Sequence, residues 1–292
     1  MGDYAYAAPS TVDSTVELLS NTAQSGGRAQ VLAGGTDVLV QMRSVDREPR
    51  LLVDVKQLAE TNKLSIGDEE IYIGAAIASA VLNENAELKG KLPGLIESAD
   101  LIGSTQIQGR CTIGGNLCNS SPAGDTIPAL IANSAVCHIV GADGERNVPV
   151  EDFLTGVGTN CMAPHEFLLG LRIPTPKGRT GDAYLRFIPR TEMDIAVAGA
   201  GVRLTLDENG TCTEARVGIG AVAPTALVVP DAAAALIGSN VDEAALNAAA
   251  DACSAAASPI TDKRGTVEYR TKVVGVLCKR AGAIARDRAV VA

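Results

Sequence analysis

Two periods of hydrophobic and polar residues divide this 292-residue chain. Short apolar runs closed by glycine or acidic turns predict strands, and wider spacing predicts helices. The run AQVLA (29–33) stops at Gly34-Gly35, and TDVLVQMR then takes helical spacing behind Thr36 or Asp37 as N-cap. RLLVDV (50–55) returns to strand, which makes a small strand–loop–helix–strand unit. LSIGDEEIYIGA (64–75) is two alternating runs around an acidic turn and predicts a hairpin. PGLIESADLI (93–102) predicts a helix with Pro93 near its start, and PAGDTIPALIAN opens another. AVCHIVG and FLLGLRI (167–173) read as strands.

A second region follows PTPKGRTG (174–181), a linker-like string of Pro, Gly and Thr. YLRFIPR, IAVAGAGVRLTLD and CTEARVGIGAV predict successive strands separated by turns. DEAALNAAADACSAAA (242–257) predicts an Ala-rich helix. Residues 266–288 predict a longer one, with Val267, Val274, Leu277, Ala281 and Ile284 on a single face. The layout is α+β, with an N-terminal region to about residue 176 and a sheet-plus-helices region after it.

Composition narrows the function. The charge is −9, from 25 Lys+Arg against 34 Asp+Glu, which argues against a nucleic-acid surface. Aromatics make up 3% of the chain and Trp is absent, so platforms for stacking single-stranded bases are not expected. No run reaches a membrane span and no secretory signal opens the chain, so a cytoplasmic location is expected. The seven cysteines include no CxxC pair and only two histidines accompany them; zinc or iron–sulfur ligation by this chain is not expected.

Two short segments carry the candidate chemistry: LAGGTD (32–37) and CTIGGNLCNSSPAGD (111–125). Paired glycines pack poorly and disfavour a helix interior, so both are expected as loops with positive φ. Successive main-chain N–H groups would then converge on one anion, with Thr36, Thr112 and Asn116 adding side-chain donors. Two such nests facing each other would suit a pyrophosphate. Neither GxxxxGK[ST] nor a GxGxxG strand–helix junction is present, which excludes the P-loop and the dinucleotide fold of the dehydrogenases. Asp125 would repel phosphate, so it either accepts from a ligand hydroxyl or ring N–H or serves as a helix N-terminal charge.

LAGGTDVL with TIGGNLCNSSPAGD resembles the FAD-binding medium subunit of the molybdenum hydroxylases, the group of xanthine dehydrogenase and aerobic carbon monoxide dehydrogenase. YAYAAPSTVDSTVELL, LRFIPRTEMDIAVAGAGVRL and DKRGTVEYRTKVVGVLCKRA extend the resemblance over nearly the whole chain. Gln108-Gly109 and Cys111 depart from it, standing where many relatives read Arg-Asn and Gly. The resemblance implies an α+β fold. An FAD-binding domain of the vanillyl-alcohol-oxidase (PCMH) type would span 1–176, in subdomains of about 1–56 and 57–176. A C-terminal domain (177–292) would hold a three-stranded antiparallel sheet and a helical bundle.

It also implies residue roles. Leu32, Ala33, Gly34, Gly35, Thr36 and Asp37 would form one pyrophosphate loop, and Thr112, Ile113, Gly114, Gly115 and Asn116 the other. Asn119, Ser121 and Asp125 would bind ribityl, ribose or ring polar atoms. Ile102 and Ile195 would lie against the two sides of the isoalloxazine, and Leu169 and Arg186 around the adenine or the ring carbonyls; ordinary core is the alternative for Ile102, Ile195 and Leu169. The implied partners are a small subunit with two 2Fe-2S clusters and a large molybdopterin subunit, assembled as a dimer of heterotrimers, with an external electron acceptor. Two rival readings stand beside this one. A free-standing flavin oxidoreductase would need acid–base groups near Ile102 and Ile195, and a scaffold without cofactor would not need its glycine pairs.

Overall fold

In the computed structural model, residues 4–44 and 48–292 are described. The first subdomain runs β1 (Tyr4–Ala7), α1 (Val12–Gln24), β2 (Ala29–Leu32), α2 (Val38–Ser44) and β3 (Arg50–Asp54). The strands form a parallel sheet in the order β1-β3-β2, with Tyr4 opposite Arg50 and Ala29 opposite Leu51. Thr11 caps α1 by accepting from the Ser14 N–H, and the helix buries Leu19 in a cluster with Val53, Val55 and Phe167.

The second subdomain opens with the hairpin expected at 64–75, β4 (Leu64–Ile66) and β5 (Glu70–Gly74). Helices α3 (Ser79–Glu84), α4 (Ala86–Lys91), α5 (Pro93–Asp100), α6 (Thr105–Gln108), α7 (Ile113–Cys118) and α8 (Thr126–Ala132) follow. The chain then forms β6 (Val136–Gly141), β7 (Gly144–Pro149), α9 (Val150–Phe153), β8 (Leu154–Gly156), β9 (Thr159–Asn160) and β10 (Phe167–Pro174). The five-stranded sheet, ordered β4-β5-β10-β6-β7, is antiparallel throughout. The alternation in EIYIG buries Ile71 and Ile73 against α5, α7 and α8 and turns Tyr72 outward.

The third region contains β11 (Arg179–Phe187), β12 (Ala198–Leu206), β13 (Cys212–Gly220), β14 (Leu227–Val228), α10 (Pro230–Leu236), α11 (Glu243–Ala256) and α12 (Val267–Val291). Three nine-residue strands make the antiparallel sheet, and the two residues of β14 add a short edge. The helices cover one face through Val274, Leu277 and Ala281 of α12. Val267, expected on that face, is exposed, because it belongs to the first turn, before α12 reaches the sheet.

One expectation is corrected here. Gly114 and Gly115 do not form a loop with positive φ; they lie inside α7, and of the two glycine pairs only Gly35 has a left-handed φ, +75°. Close packing overrides the poor helix propensity of glycine. A Cβ at Gly114 would stand 2.5 Å from the Ala75 carbonyl oxygen, so only glycine lets α7 lie this close to the end of β5.

Candidate functional site

The first wall of the site begins where β2 ends. The Gly34, Gly35, Thr36 and Asp37 main-chain N–H groups make no hydrogen bond to any described residue, and all four residues line a cleft of about 420 Å³. Four consecutive unsatisfied donors in a half-enclosed site favour an acceptor ligand. The loop is braced from behind. Lys56 Nζ donates to the Ala33 carbonyl at 3.0 Å and to both Asp54 carboxylate oxygens at 2.8 and 2.7 Å. Tyr6 adds a 2.7 Å bond from its hydroxyl to Asp54 Oδ2. Burial raises the Asp54 pKa, but the Lys56 and Tyr6 bonds outweigh it and hold the group below its usual value. Asp37, at the rim, is pushed up by desolvation.

The second wall is α7. Thr112 Oγ1 accepts from the Gly115 N–H at 2.8 Å, which starts the helix inside the glycine pair. At Gly34 a Cβ would collide with the Arg110 carbonyl oxygen, so the segments before the two glycine pairs abut. A Cβ at Gly115 would meet only Thr112 Oγ1, at 3.0 Å, and Gly115 lines the cleft. Asn116 Oδ1 accepts from the Thr126 N–H at 3.1 Å and its hydroxyl at 2.7 Å, leaving the Nδ2 donor for the cleft. Asn119 Oδ1 accepts from Gln41 Nε2 at 3.0 Å, a link from α2 to the end of α7.

The cleft draws its lining from both subdomains of the N-terminal region. Ile102 and Cys111 contribute to its lining, as do Ala29 and Val31 of β2 and Met162, Pro164 and Phe167. Of the residues singled out in the sequence, Ala33, Gly34, Gly35, Thr36, Asp37, Ile102, Thr112, Gly114, Gly115, Asn116 and Asn119 line it. The remaining seven lie off the lining. Leu32, Ile113 and Leu169 are buried behind the walls. Ser121 Oγ accepts from the Ala123 N–H in the turn before α8. Ile195 is exposed on the 188–197 segment, whose Met193 N–H reaches the Gly103 carbonyl beside Ile102. Asp125 and Arg186 bond to each other: Arg186 Nη1 donates to Asp125 Oδ2 at 2.7 Å, and the Tyr184 hydroxyl adds a 3.3 Å bond to Oδ1. Burial pushes the Asp125 carboxyl up to about 6 against the pull of Arg186. Asp125 makes no side-chain cap bond to α8.

The sequence reading missed Gln30, Gln41, Asn160 and the 162–166 stretch, all of which contribute to the lining. Pro164 was the one local signal of a turn in that stretch. Among the described residues, no group of three or more His, Cys, Asp or Glu side chains could hold a metal ion. No helix among them is long and apolar enough to cross a membrane.

The cleft has the chemistry to receive a phosphate-bearing ligand. Its lining offers free amides, a glycine helix turn without Cβ atoms, and a mixture of polar and apolar side chains. Comparison with known proteins agrees. A family model for the FAD binding domain in molybdopterin dehydrogenase matches residues 2–176, and one for the CO dehydrogenase flavoprotein C-terminal domain matches residues 183–284. The chain is 34% identical to the carbon monoxide dehydrogenase medium chain of Afipia carboxidovorans, over 99% of this chain and 98% of that one. It is 29% identical to the xanthine dehydrogenase FAD-binding subunit of Escherichia coli O157:H7, over 96% and 95% of the two chains. A solved structure of carbon monoxide dehydrogenase from Hydrogenophaga pseudoflava, lacking the Mo-pyranopterin moiety, superposes with a TM-score of 0.92 at 33% identity, covering 98% of both chains. The chain therefore belongs to the FAD-binding flavoprotein subunits of the molybdenum-containing hydroxylases, the family of the carbon monoxide dehydrogenase and xanthine dehydrogenase medium subunits.

Proposed function

We propose that FAD lies along the cleft with its diphosphate on the amides of Gly34 to Asp37 and over the first turn of α7. The chain would then relay electrons from two 2Fe-2S clusters of a small partner subunit to an external acceptor. When bound, FAD supplies the step between one-electron and two-electron carriers. This chain's residues hold and enclose it. Thr36 and Asn116 Nδ2 donate toward the diphosphate, Ile102 packs at the flavin end, and the Lys56–Asp54–Tyr6 bonds keep the first loop in place. Leu32, Ile113 and Leu169 back the walls from the core. The observation that carries the reading is the run of unpartnered amides from Gly34 to Asp37 in the cleft that Gly115 also lines.

On this reading the chain divides functionally into 1–56 and 57–176, which enclose the cofactor, and 177–292, which carries the segment beside Ile102. Substrate oxidation belongs to a large molybdopterin subunit, and the assembly is a dimer of heterotrimers in the cytoplasm. The subunit character of the relatives supports this arrangement. The visible spectrum of the purified full chain tests the reading: a stoichiometric flavin spectrum is expected. A colourless protein that takes up no added FAD would overturn it.

A further inference from the structure

Residues 161–166 form irregular chain between β9 and β10, and Met162, Ala163, Pro164 and Glu166 line the cleft. One side chain grips both ends of this stretch from outside. Arg146, on the edge strand β7, donates from Nε to Glu166 Oε1 at 2.7 Å and from Nη2 to Oε2 at 2.8 Å. The same Nη2 donates to the Cys161 carbonyl at 3.0 Å. Glu166 Oε2 also accepts from the Ala163 N–H at 2.7 Å, and Asn160 Oδ1 accepts from the Met162 N–H at 3.1 Å. A two-pronged guanidinium–carboxylate contact fixes direction as well as distance, which a single lysine contact does not.

We propose that Arg146 is a positioning residue for the cofactor: by pinning residues 161–166 it fixes the cleft lining supplied by Met162, Ala163, Pro164 and Glu166, and with it the affinity for the AMP half of FAD. This rests on the FAD reading above. The halves are assigned on the same reading. The Ile102 end is touched by the 188–197 segment through Met193 and Gly103 and takes the flavin. Val31, Met162 and Pro164, which also line the cleft, would then flank the AMP half. Arg146 touches no ligand itself; it acts through Glu166 and the Cys161 carbonyl.

The test is FAD titration of the deflavinated full chain, carrying Arg146→Met, Glu166→Gln or both. Each single variant is expected to raise the FAD dissociation constant about tenfold. The double variant is expected to be no weaker than Arg146→Met alone, because both changes cut one contact. Affinity for FMN, which lacks the AMP half, should match the parent, and the melting temperature of the FAD-free chain should stay within about 2 °C of the parent's. Parent-like FAD affinity in Arg146→Met, additive effects, or FMN affinity falling in step with FAD would each overturn the proposal. A parent chain that takes up no FAD would instead overturn the reading beneath it.

Discussion

Glycine lines two internal boundaries of this molecule, to opposite ends. Where the second subdomain meets the third region, it closes the boundary. A Cβ at Gly94 would stand 2.7 Å from the Ala183 backbone, and Cβ atoms at Gly201 and Gly218 would each stand 2.6 Å from the Pro128 carbonyl oxygen. The carboxylate buried at that contact is matched. Asp182 accepts from the Gly94 and Leu95 N–H groups and from Asn133 Nδ2, at 3.1, 3.2 and 2.9 Å. Between the first two subdomains it does both: Gly34 closes on the Arg110 carbonyl oxygen, while Gly115 leaves space. Gly115 opens onto the cleft, and the amides from Gly34 to Asp37 have no partner among the described residues. The same missing Cβ therefore makes a packed seam where backbone faces backbone and a ligand site where backbone faces a void. The pairing of the neighbouring N–H groups distinguishes the two.

The largest expected effect lies at the closed boundary. Gly94→Val forces a branched side chain into the Ala183 backbone and should cost about 3 kcal/mol or more, read as a lowered denaturant midpoint. A parent-like midpoint would mean the seam is loose. At the open boundary, Gly115→Val meets only the Thr112 hydroxyl and gains helix propensity, so the fold should hold. FAD affinity should still fall at least about 100-fold, near 2.7 kcal/mol, because the side chain occupies the phosphate approach. Stoichiometric FAD in that variant would show that α7 is not a cofactor wall.

A smaller effect comes from the Asp125–Arg186 pair, and it depends on pH. The folded carboxyl is raised to about 6, so its contribution is complete below the unfolded value of about 3.9 and is lost as pH rises through 6. The parent should therefore lose about 2 kcal/mol relative to Asp125→Asn between pH 4 and pH 6, in denaturant titrations at the two values. The opposite slope would show that the Arg186 charge dominates burial. Glu166 should show the smallest effect. Arg146, with a lesser contribution from His165, holds its carboxyl below the usual value. That stabilisation is present above the ordinary glutamate value of about 4.3 and disappears as pH falls through the lower folded value. Glu166→Gln should cost about 1 kcal/mol at pH 7 and nothing at strongly acid pH, measured by thermal unfolding.

The elements with strong periodicity were legible in advance: the 64–75 hairpin, the helix at Pro93 and the Ala-rich helix each form where the pattern places them. The glycine pairs were legible as candidates too, because paired glycine is costly unless the backbone must come close to something. The conformation of the second pair was not. Propensity disfavours helix there, and the contact of Gly114 with Ala75, about 40 residues away, decides for it. Arg146 and the 161–166 wall were equally hidden, since nothing local marks a guanidinium that will bond a carboxylate 20 positions on.

By itself the sequence determined the strongly periodic strands and helices and which two stretches could admit a ligand to the backbone. Those are local matters of side-chain period and missing Cβ atoms. Only the tertiary structure decided which glycines face protein and which face the cleft. It also paired Asp125 with Arg186 rather than with the cleft lining. These outcomes depend on contacts between residues distant in the chain, where packing and desolvation outweigh local preference.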